Sequence, residues 1–397
     1  METKAPAPRA AIMQAARSFQ KAAYLIDEGE LEKNCAQLQR IAQESGAKIV
    51  LAQKAFATPQ IYPLIGRYLD GACASGVWEA RLAREYFPAG AEVITCAPAY
   101  SDEDIEELLP LSDHLDFNSL SQWRRYRTRC LEYDGEVLFG LRINPEYSTG
   151  ETELYDPCAP GSRLGTPLSD LLSCDASELE GLSGLHFHTL CEQGVEDLEK
   201  TLEVVEQKCA SLLHRMKYLN LGGGHWITKP GYGVDRLITL IRRLRETYDI
   251  EVYLEPGEAV AIHSGVLVAR VLDIHQNGCV KNALLDVSAT AHMPDVLEMP
   301  YRPDVYDVRD GREAQETGEY EYRLTGCTCL AGDQIGDYAF AQPLSVGDLV
   351  LFNDMAHYTL VKTTFFNGVK HPDIYVLREE ECLLMKEYSY RDYRALK

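Results

Sequence analysis

Lys54 stands just past a strand-like apolar run, in Lys48-Ile49-Val50-Leu51-Ala52-Gln53-Lys54-Ala55-Phe56. A primary amine at such a place can form a Schiff base with a carbonyl compound. Other groups with chemical potential lie at the ends of other apolar runs. His188 closes Gly184-Leu185-His186-Phe187-His188, the triplet Gly222-Gly223-Gly224 follows Tyr218-Leu219-Asn220-Leu221, and Glu255 closes Glu251-Val252-Tyr253-Leu254 ahead of Pro256-Gly257-Glu258. Three consecutive glycines either let backbone N–H groups approach a phosphate without a Cβ in the way, or form a flexible turn. A carboxylate at Glu255 either pairs with a protonated ring nitrogen or caps a loop. An imidazole at His188 either stacks on a flat ring or serves the core.

Taken together, an amine, an anion-sized glycine turn, a carboxylate for a ring nitrogen and an imidazole for a ring face point to pyridoxal phosphate (PLP), whose parts they match. His186 shares a strand face with His188, and the sequence attaches no role to it.

Such groups need a scaffold that gathers strand ends. From about residue 22 to 260 the apolar period switches between strand and helix. Residues 28–44 carry the helical stripe Leu31, Cys35, Leu38 and Ile41. Strand-like runs recur at Ala23-Tyr24-Leu25-Ile26, 48–52, 71–74, 92–95, 116–118, 137–143, 184–188, 218–221 and 251–255. Repeated βα units of this number predict a (β/α)8 barrel over residues 23–260, with its chemistry at the C-terminal ends of the strands. After residue 261 short β runs punctuated by Gly and Pro predict a β-rich domain, 261–397, to which residues 10–22 add a piece.

The 397 residues carry 61 acids against 39 bases, a net charge of −22. Such a surface repels nucleic acid and anionic membrane and favours cationic partners, or simply keeps the protein in solution. No apolar stretch reaches the ~18 residues that span a bilayer, and no signal peptide is evident. The twelve cysteines form no C-x-x-C pair, so neither a metal site nor a disulfide framework is expected, and a reducing cytoplasm fits.

From Ala23 to about Leu377 the chain resembles the fold-type III PLP decarboxylases, which include eukaryotic ornithine, bacterial arginine and diaminopimelate decarboxylases. The resemblance implies that Lys54 binds PLP, His188 stacks on its ring and Gly222, Gly223 and Gly224 hold its phosphate. It implies that Glu255, in Glu255-Pro256-Gly257, meets the ring nitrogen, with Gly257 in the same motif, and that Tyr358, in Asp354-Met355-Ala356-His357-Tyr358, contacts the phosphate. In Gly326-Cys327-Thr328-Cys329-Leu330-Ala331-Gly332-Asp333 it implies Cys329 as the donor that protonates Cα and Asp333 as a substrate ligand. By its own chemistry Cys329 reads as one buried thiol among twelve. A homodimer with shared active sites is also implied.

The departures narrow the resemblance. Glu258 stands where ornithine and diaminopimelate decarboxylases usually have arginine, and Thr189-Leu190-Cys191-Glu192 stands where a Gly-Ser pair usually follows the histidine. These, with the strings Ser288 to Pro303 and Gly222-Gly223-Gly224-His225-Trp226-Ile227-Thr228, resemble the branch that decarboxylates carboxynorspermidine and carboxyspermidine to norspermidine and spermidine in polyamine biosynthesis. Distal ammonium groups of such substrates require acids, for which Asp333, Glu192 and Glu258 are candidates. Arg302 is a candidate for a substrate carboxylate, or forms a structural ion pair. The alternatives are a decarboxylase of another amino acid such as diaminopimelate, an alanine-racemase-like PLP enzyme, whose lysine motif usually runs Lys-Ala-Asn rather than Lys54-Ala55-Phe56, and a non-catalytic PLP carrier or a regulator of a decarboxylase, which should lack the Cys329–Asp333 segment that this chain has.

Overall fold

The structure, a computed structural model, describes residues 4–150 and 153–397. The chain divides into two compact units, Asn34–Val260 and the union of Met1–Lys33 with Ala261–Lys397.

The first unit is a closed barrel of eight parallel strands: Lys48–Ala52, Gly71–Ala74, Glu92–Ala97, His114–Phe117, Leu138–Asn144, Leu182–His186, Tyr218–Asn220 and Glu251–Leu254. Each pairs with its neighbour in chain order, and Leu254 beside Ile49 closes the ring. Parallel strands covered on both faces read as near-continuous apolar runs, and most residues of these strands are buried. Helices form by amphipathic spacing. Val195–Leu213 buries Val195, Leu198, Leu202, Val205 and Cys209, and Val234–Tyr248 buries Leu237, Ile238, Ile241, Leu244 and Tyr248. Each fully buried Leu or Ile contributes ~1.5–3 kcal/mol of transfer energy. A Ser101–Asp104 capping box starts the helix Asp102–Leu108.

Inside the barrel Val50, Ile94, Tyr218 and Tyr253 form a core with Cys73 and Leu138. Two glycines make room for Tyr218. A Cβ on Gly184 would run into its ring, and one on Gly140 would strike its hydroxyl and the Asp116 carboxylate. Glycine within a strand commonly marks such a close approach.

The second unit holds a nine-stranded mixed sheet. Its strands include Gly265–Asn277, Val280–Leu285, Tyr320–Thr325 and Leu349–Phe352, where the sequence predicts β runs. Here one expectation is corrected. Ala23–Asp27, read from sequence as the opening barrel strand, pairs antiparallel with Gly265–Asn277 and parallel with Asp373–Arg378 in this sheet. All five of its residues are buried, so its composition matches a barrel strand, and only pairing distinguishes the two. The helix Ala10–Ala16 puts Ile12, Met13 and Ala16 into the core of the same unit, with Leu25, Val266, Val268 and Leu351. Residues before Asn34 therefore go with the C-terminal unit. Among the described residues no helix is long and apolar enough to cross a membrane.

Candidate active site

Four barrel strand ends meet through backbone ties. The Ala52 N–H donates to the Pro256 carbonyl at 2.9 Å, the Glu255 N–H to the Gly222 carbonyl at 2.7 Å, and the Phe187 N–H to the Asn220 carbonyl at 3.0 Å. The loops carrying Lys54, Glu255, the glycines and His188 are thus fastened to one another.

Lys54 is exposed while Gln53 before it is fully buried. Gln53 accepts from the Tyr62 hydroxyl at 3.0 Å and donates to the Glu79 carbonyl at 2.9 Å. This anchor leaves the next side chain, Lys54, facing the strand-end surface, with its Nζ 3.5 Å from His188 Nε2. His188 is half-buried, and its Nδ1 accepts from the Gly223 N–H at 3.0 Å. That bond puts the ring proton on Nε2. Burial holds the imidazole well below its usual pKa, and the Lys54 and Arg142 cations push the same way. His188 is therefore a neutral ring.

The glycine triplet is required by shape. Gly222 and Gly224 have φ of +68° and +84°, a region that L side chains rarely adopt. A Cβ on Gly223 would collide with the Glu255 carbonyl oxygen, and one on Gly224 with that of Leu190. Gly257 is shaped by packing too, since a Cβ there would lie 2.6 Å from that of Ala55.

Glu255 is 8% exposed, and its Oε1 accepts from Asn220 Nδ2 at 2.7 Å. Beneath it lies a buried polar row that the sequence leaves without a role. His186 Nε2 is 3.6 Å from Glu255 Oε2, and His186 Nδ1 is 3.5 Å from Asp116 Oδ2. The Tyr218 hydroxyl donates to Asp116 Oδ1 at 2.5 Å. Burial pushes the Asp116 carboxyl up to about 7; the Tyr218 hydrogen bond opposes this and the Glu255 charge adds to it. Burial lowers His186 to about 4, against the pull of Glu255. Arg142, in Leu138–Asn144, is another residue to which the sequence attaches no role, and it donates from Nη2 to the His188 carbonyl at 3.4 Å. A lone charge inside an apolar barrel strand was the available signal for both Arg142 and Asp116.

The acid candidates divide. Glu258 is half-buried and its Oε1 accepts from Trp226 Nε1 at 3.1 Å. Glu192 is exposed at a φ of +54°. Both charge the surroundings of Cys191, whose thiol is pushed up to about 11 by burial and then by Glu192 and Glu258, with Lys54 opposing. Glu192, Glu258 and Lys54 thus lie within electrostatic reach of Cys191, an exposed residue.

The remaining candidates lie in the sheet unit. Cys329 is exposed, and its N–H donates to Asn367 Oδ1 at 2.6 Å. Asp333 is 3% exposed, and four donors occupy its carboxylate: the N–H groups of Ala289, Thr290 and Thr328, and the Thr328 hydroxyl at 2.6 Å. Arg302 donates to the carbonyls of Gln315 and Asp337 and lies 4.0 Å over the Tyr338 ring. Tyr358 is half-buried with a φ of +45°. Among the described residues no group of three or more His, Cys, Asp or Glu could hold a metal ion.

The barrel residues fit PLP. An exposed amine, a neutral imidazole, a carboxylate oriented by Asn220 and a glycine turn closed to any Cβ stand on adjoining strand ends. Comparison with known proteins agrees. The family described as "Pyridoxal-dependent decarboxylase, C-terminal sheet domain" matches residues 23–356. A carboxynorspermidine/carboxyspermidine decarboxylase of Campylobacter jejuni is 42% identical, over 94% of this chain and 98% of its own. A carboxyaminopropylagmatine decarboxylase of Synechocystis is 45% identical over 94% of each chain. The crystal structure of carboxynorspermidine decarboxylase complexed with norspermidine, from C. jejuni, matches with a TM-score of 0.85 at 40% identity, covering 96% of this chain and all of that one. Diaminopimelate decarboxylase from Helicobacter pylori shares the fold, with a TM-score of 0.84 at 16% identity over 96% of this chain and 98% of its own. With its parallel barrel, its mixed sheet and a match running from Ala23 to Ala356, this chain belongs to the pyridoxal-dependent decarboxylases.

Proposed function

We propose that this chain uses PLP to remove CO₂ from the amino-acid end of carboxynorspermidine or carboxyspermidine, releasing norspermidine or spermidine. The observation that carries the reading is the 42% identity, over 94% of this chain and 98% of the other, to a relative with that name; Glu192 and Glu258, both within electrostatic reach of Cys191, are the candidate acids. A polyamine carries ammonium groups along its chain, and carboxylates are the chemistry that receives them.

When bound, the cofactor supplies an electron sink for the pair left by departing CO₂. Lys54 supplies the amine that holds the cofactor carbonyl. His188, neutral and tied to Gly223, offers a ring face. The glycine turn takes the phosphate, which the resemblance also assigns to Tyr358. Glu255, oriented by Asn220, faces the ring nitrogen. Cys329 is the proton donor to Cα, acting in the site of a second copy of the chain, and its exposure supports a side chain that reaches outward. The contacts of Asp333 favour a supporting role, in which it fastens Thr328 and the start of Ala289–His292 and so shapes the loop that carries Cys329. Arg302 is likewise spent on backbone carbonyls. All twelve cysteines are free, which supports a reducing cytoplasm.

A second substrate has a specific observation behind it, since the 45% identical relative is named for carboxyaminopropylagmatine. Product analysis after incubation with carboxynorspermidine, carboxyspermidine, carboxyaminopropylagmatine and diaminopimelate separates the readings. Norspermidine or spermidine is the expected product. Turnover of carboxyaminopropylagmatine alone would move the assignment to that substrate, and turnover of diaminopimelate alone would refute a polyamine substrate.

A further inference from the structure

The row Tyr218–Asp116–His186–Glu255 is built, not incidental. Gly140 and Gly184 are kept free of a Cβ by Tyr218 and Asp116. His186 is 2% exposed and Asp116 fully buried. Both ring nitrogens of His186 and Asp116 Oδ2 have no hydrogen-bond partner among the described residues, yet they lie 3.5 Å and 3.6 Å from carboxylate oxygens on either side. These distances exceed a hydrogen bond by a few tenths of an ångström and leave no room for water. Orphaned buried polar atoms are costly, and here two of them, His186 Nδ1 and Asp116 Oδ2, face one another, while His186 Nε2 faces Glu255 Oε2.

A neutral imidazole donates from one nitrogen and accepts at the other. Between two carboxyl groups it is satisfied on both sides only if one carboxyl carries a proton. We propose that His186 is a positioning residue for Glu255: its Nε2–H donates to Glu255 Oε2 while Nδ1 accepts from a protonated Asp116. Asn220 already donates to Oε1 and the Cys73 thiol hydrogen-bonds the same carboxylate; the imidazole N–H adds a donor fixed at Oε2, so the negative charge is held in one orientation toward the ring nitrogen. Burial works in the same direction, since it keeps the Asp116 proton up to about pH 7 and keeps His186 neutral. The other charged or titratable groups bearing on the row are Arg142, Lys54, His188, Cys73, Cys96, Tyr100 and Tyr253, from the strands and loops around it. Both cations disfavour a charged His186.

The proposal rests on the assignment of Glu255 to the cofactor nitrogen, so its test begins without the cofactor. In cofactor-free protein labelled with ¹⁵N-histidine, the His186 signals are identified by their loss in His186→Gln. At pH 6 they should show a protonated Nε2 and a bare Nδ1. Asp116→Asn, whose amide can donate to Nδ1, should keep that pattern. An imidazolium, or a proton on Nδ1, would overturn the proposal whatever the cofactor does.

The second measurement is PLP affinity, followed by quenching of protein fluorescence. His186→Leu should weaken it by about 10- to 100-fold, the loss of one hydrogen bond to a charge. His186→Gln, which can still donate to Oε2, should stay within a few-fold of the original protein. Leu and Gln variants with equal affinity and equal melting temperature would also overturn the proposal. A protein with the expected Nε2–H pattern that formed no reducible link between PLP and Lys54 would instead overturn the cofactor assignment.

Discussion

At the scale of single residues the proposed chemistry rests on Lys54. Its amine is the one that stands beside the His188 ring, so Lys54→Ala should remove the borohydride-reducible link to PLP and abolish turnover. Peptide mapping of the reduced protein checks this, and a link surviving in the variant would place the anchor elsewhere. Glu258 is one of the residues where this chain departs from the pattern of related decarboxylases, and its carboxylate is half-buried against Trp226. Glu258→Gln can still accept from Trp226, so the fold should persist. A partly solvated ion pair is worth ~0.2–1 kcal/mol, so KM for carboxynorspermidine should rise by ~2- to 5-fold with PLP affinity unchanged. The same substitution removes one charge that raises the Cys191 thiol, so that pKa should fall from about 11. The pH profile of Cys191 alkylation reads the fall with no substrate present. Equal losses of substrate and cofactor binding would put Glu258 on the cofactor side.

At the scale of elements, the barrel strands carry their chemistry inward as well as at their ends. Gly184 leaves space that Tyr218 fills. Gly184→Ala should therefore destabilise the protein by ~1–3 kcal/mol, the usual cost of overpacking, seen as a lower urea midpoint. Asp116 gives the same interior a pH dependence. Its folded pKa, about 7, lies above the ordinary value of 3.8, so the folded state holds the proton longer than the unfolded chain. The resulting penalty is absent below about pH 4, grows as pH rises, and is complete above about pH 7. Asp116→Asn removes it, so the variant should gain stability relative to the original protein across that window, by up to a few kcal/mol. Denaturation midpoints at pH 5 and pH 8 measure the difference, which should be larger at pH 8.

At the scale of the whole molecule, the candidate residues are divided between two units, with Lys54, His188 and Glu255 in one and Cys329 in the other. If sites are built from two copies of the chain, mixing Lys54→Ala with Cys329→Ala should restore part of the activity. One mixed site then holds both original groups. Cys329→Ala alone should keep its PLP while losing ~10²–10⁴ in rate, as for loss of a positioned acid. No recovery despite demonstrated subunit exchange would refute the shared site.

Much of this protein was legible in its sequence for a local reason. A barrel strand buried on both faces is an apolar run, and the residue past its end is where chemistry sits, so Lys54, His188, Gly222–Gly224 and Glu255 could be placed without knowing which strands were neighbours. What the sequence could not specify is pairing. Ala23–Asp27 has the composition of a barrel strand and belongs to the other sheet, because register and partner are set by distant residues. Asp333, which the sequence offers as a substrate ligand, is surrounded by four protein donors once the chain folds. His186 acquires neighbours only when the barrel closes and turns Asp116 and Glu255 toward it from strands far apart in the chain. Strand alternation decides which side chains point inward; closure of the ring alone decides which of them meet.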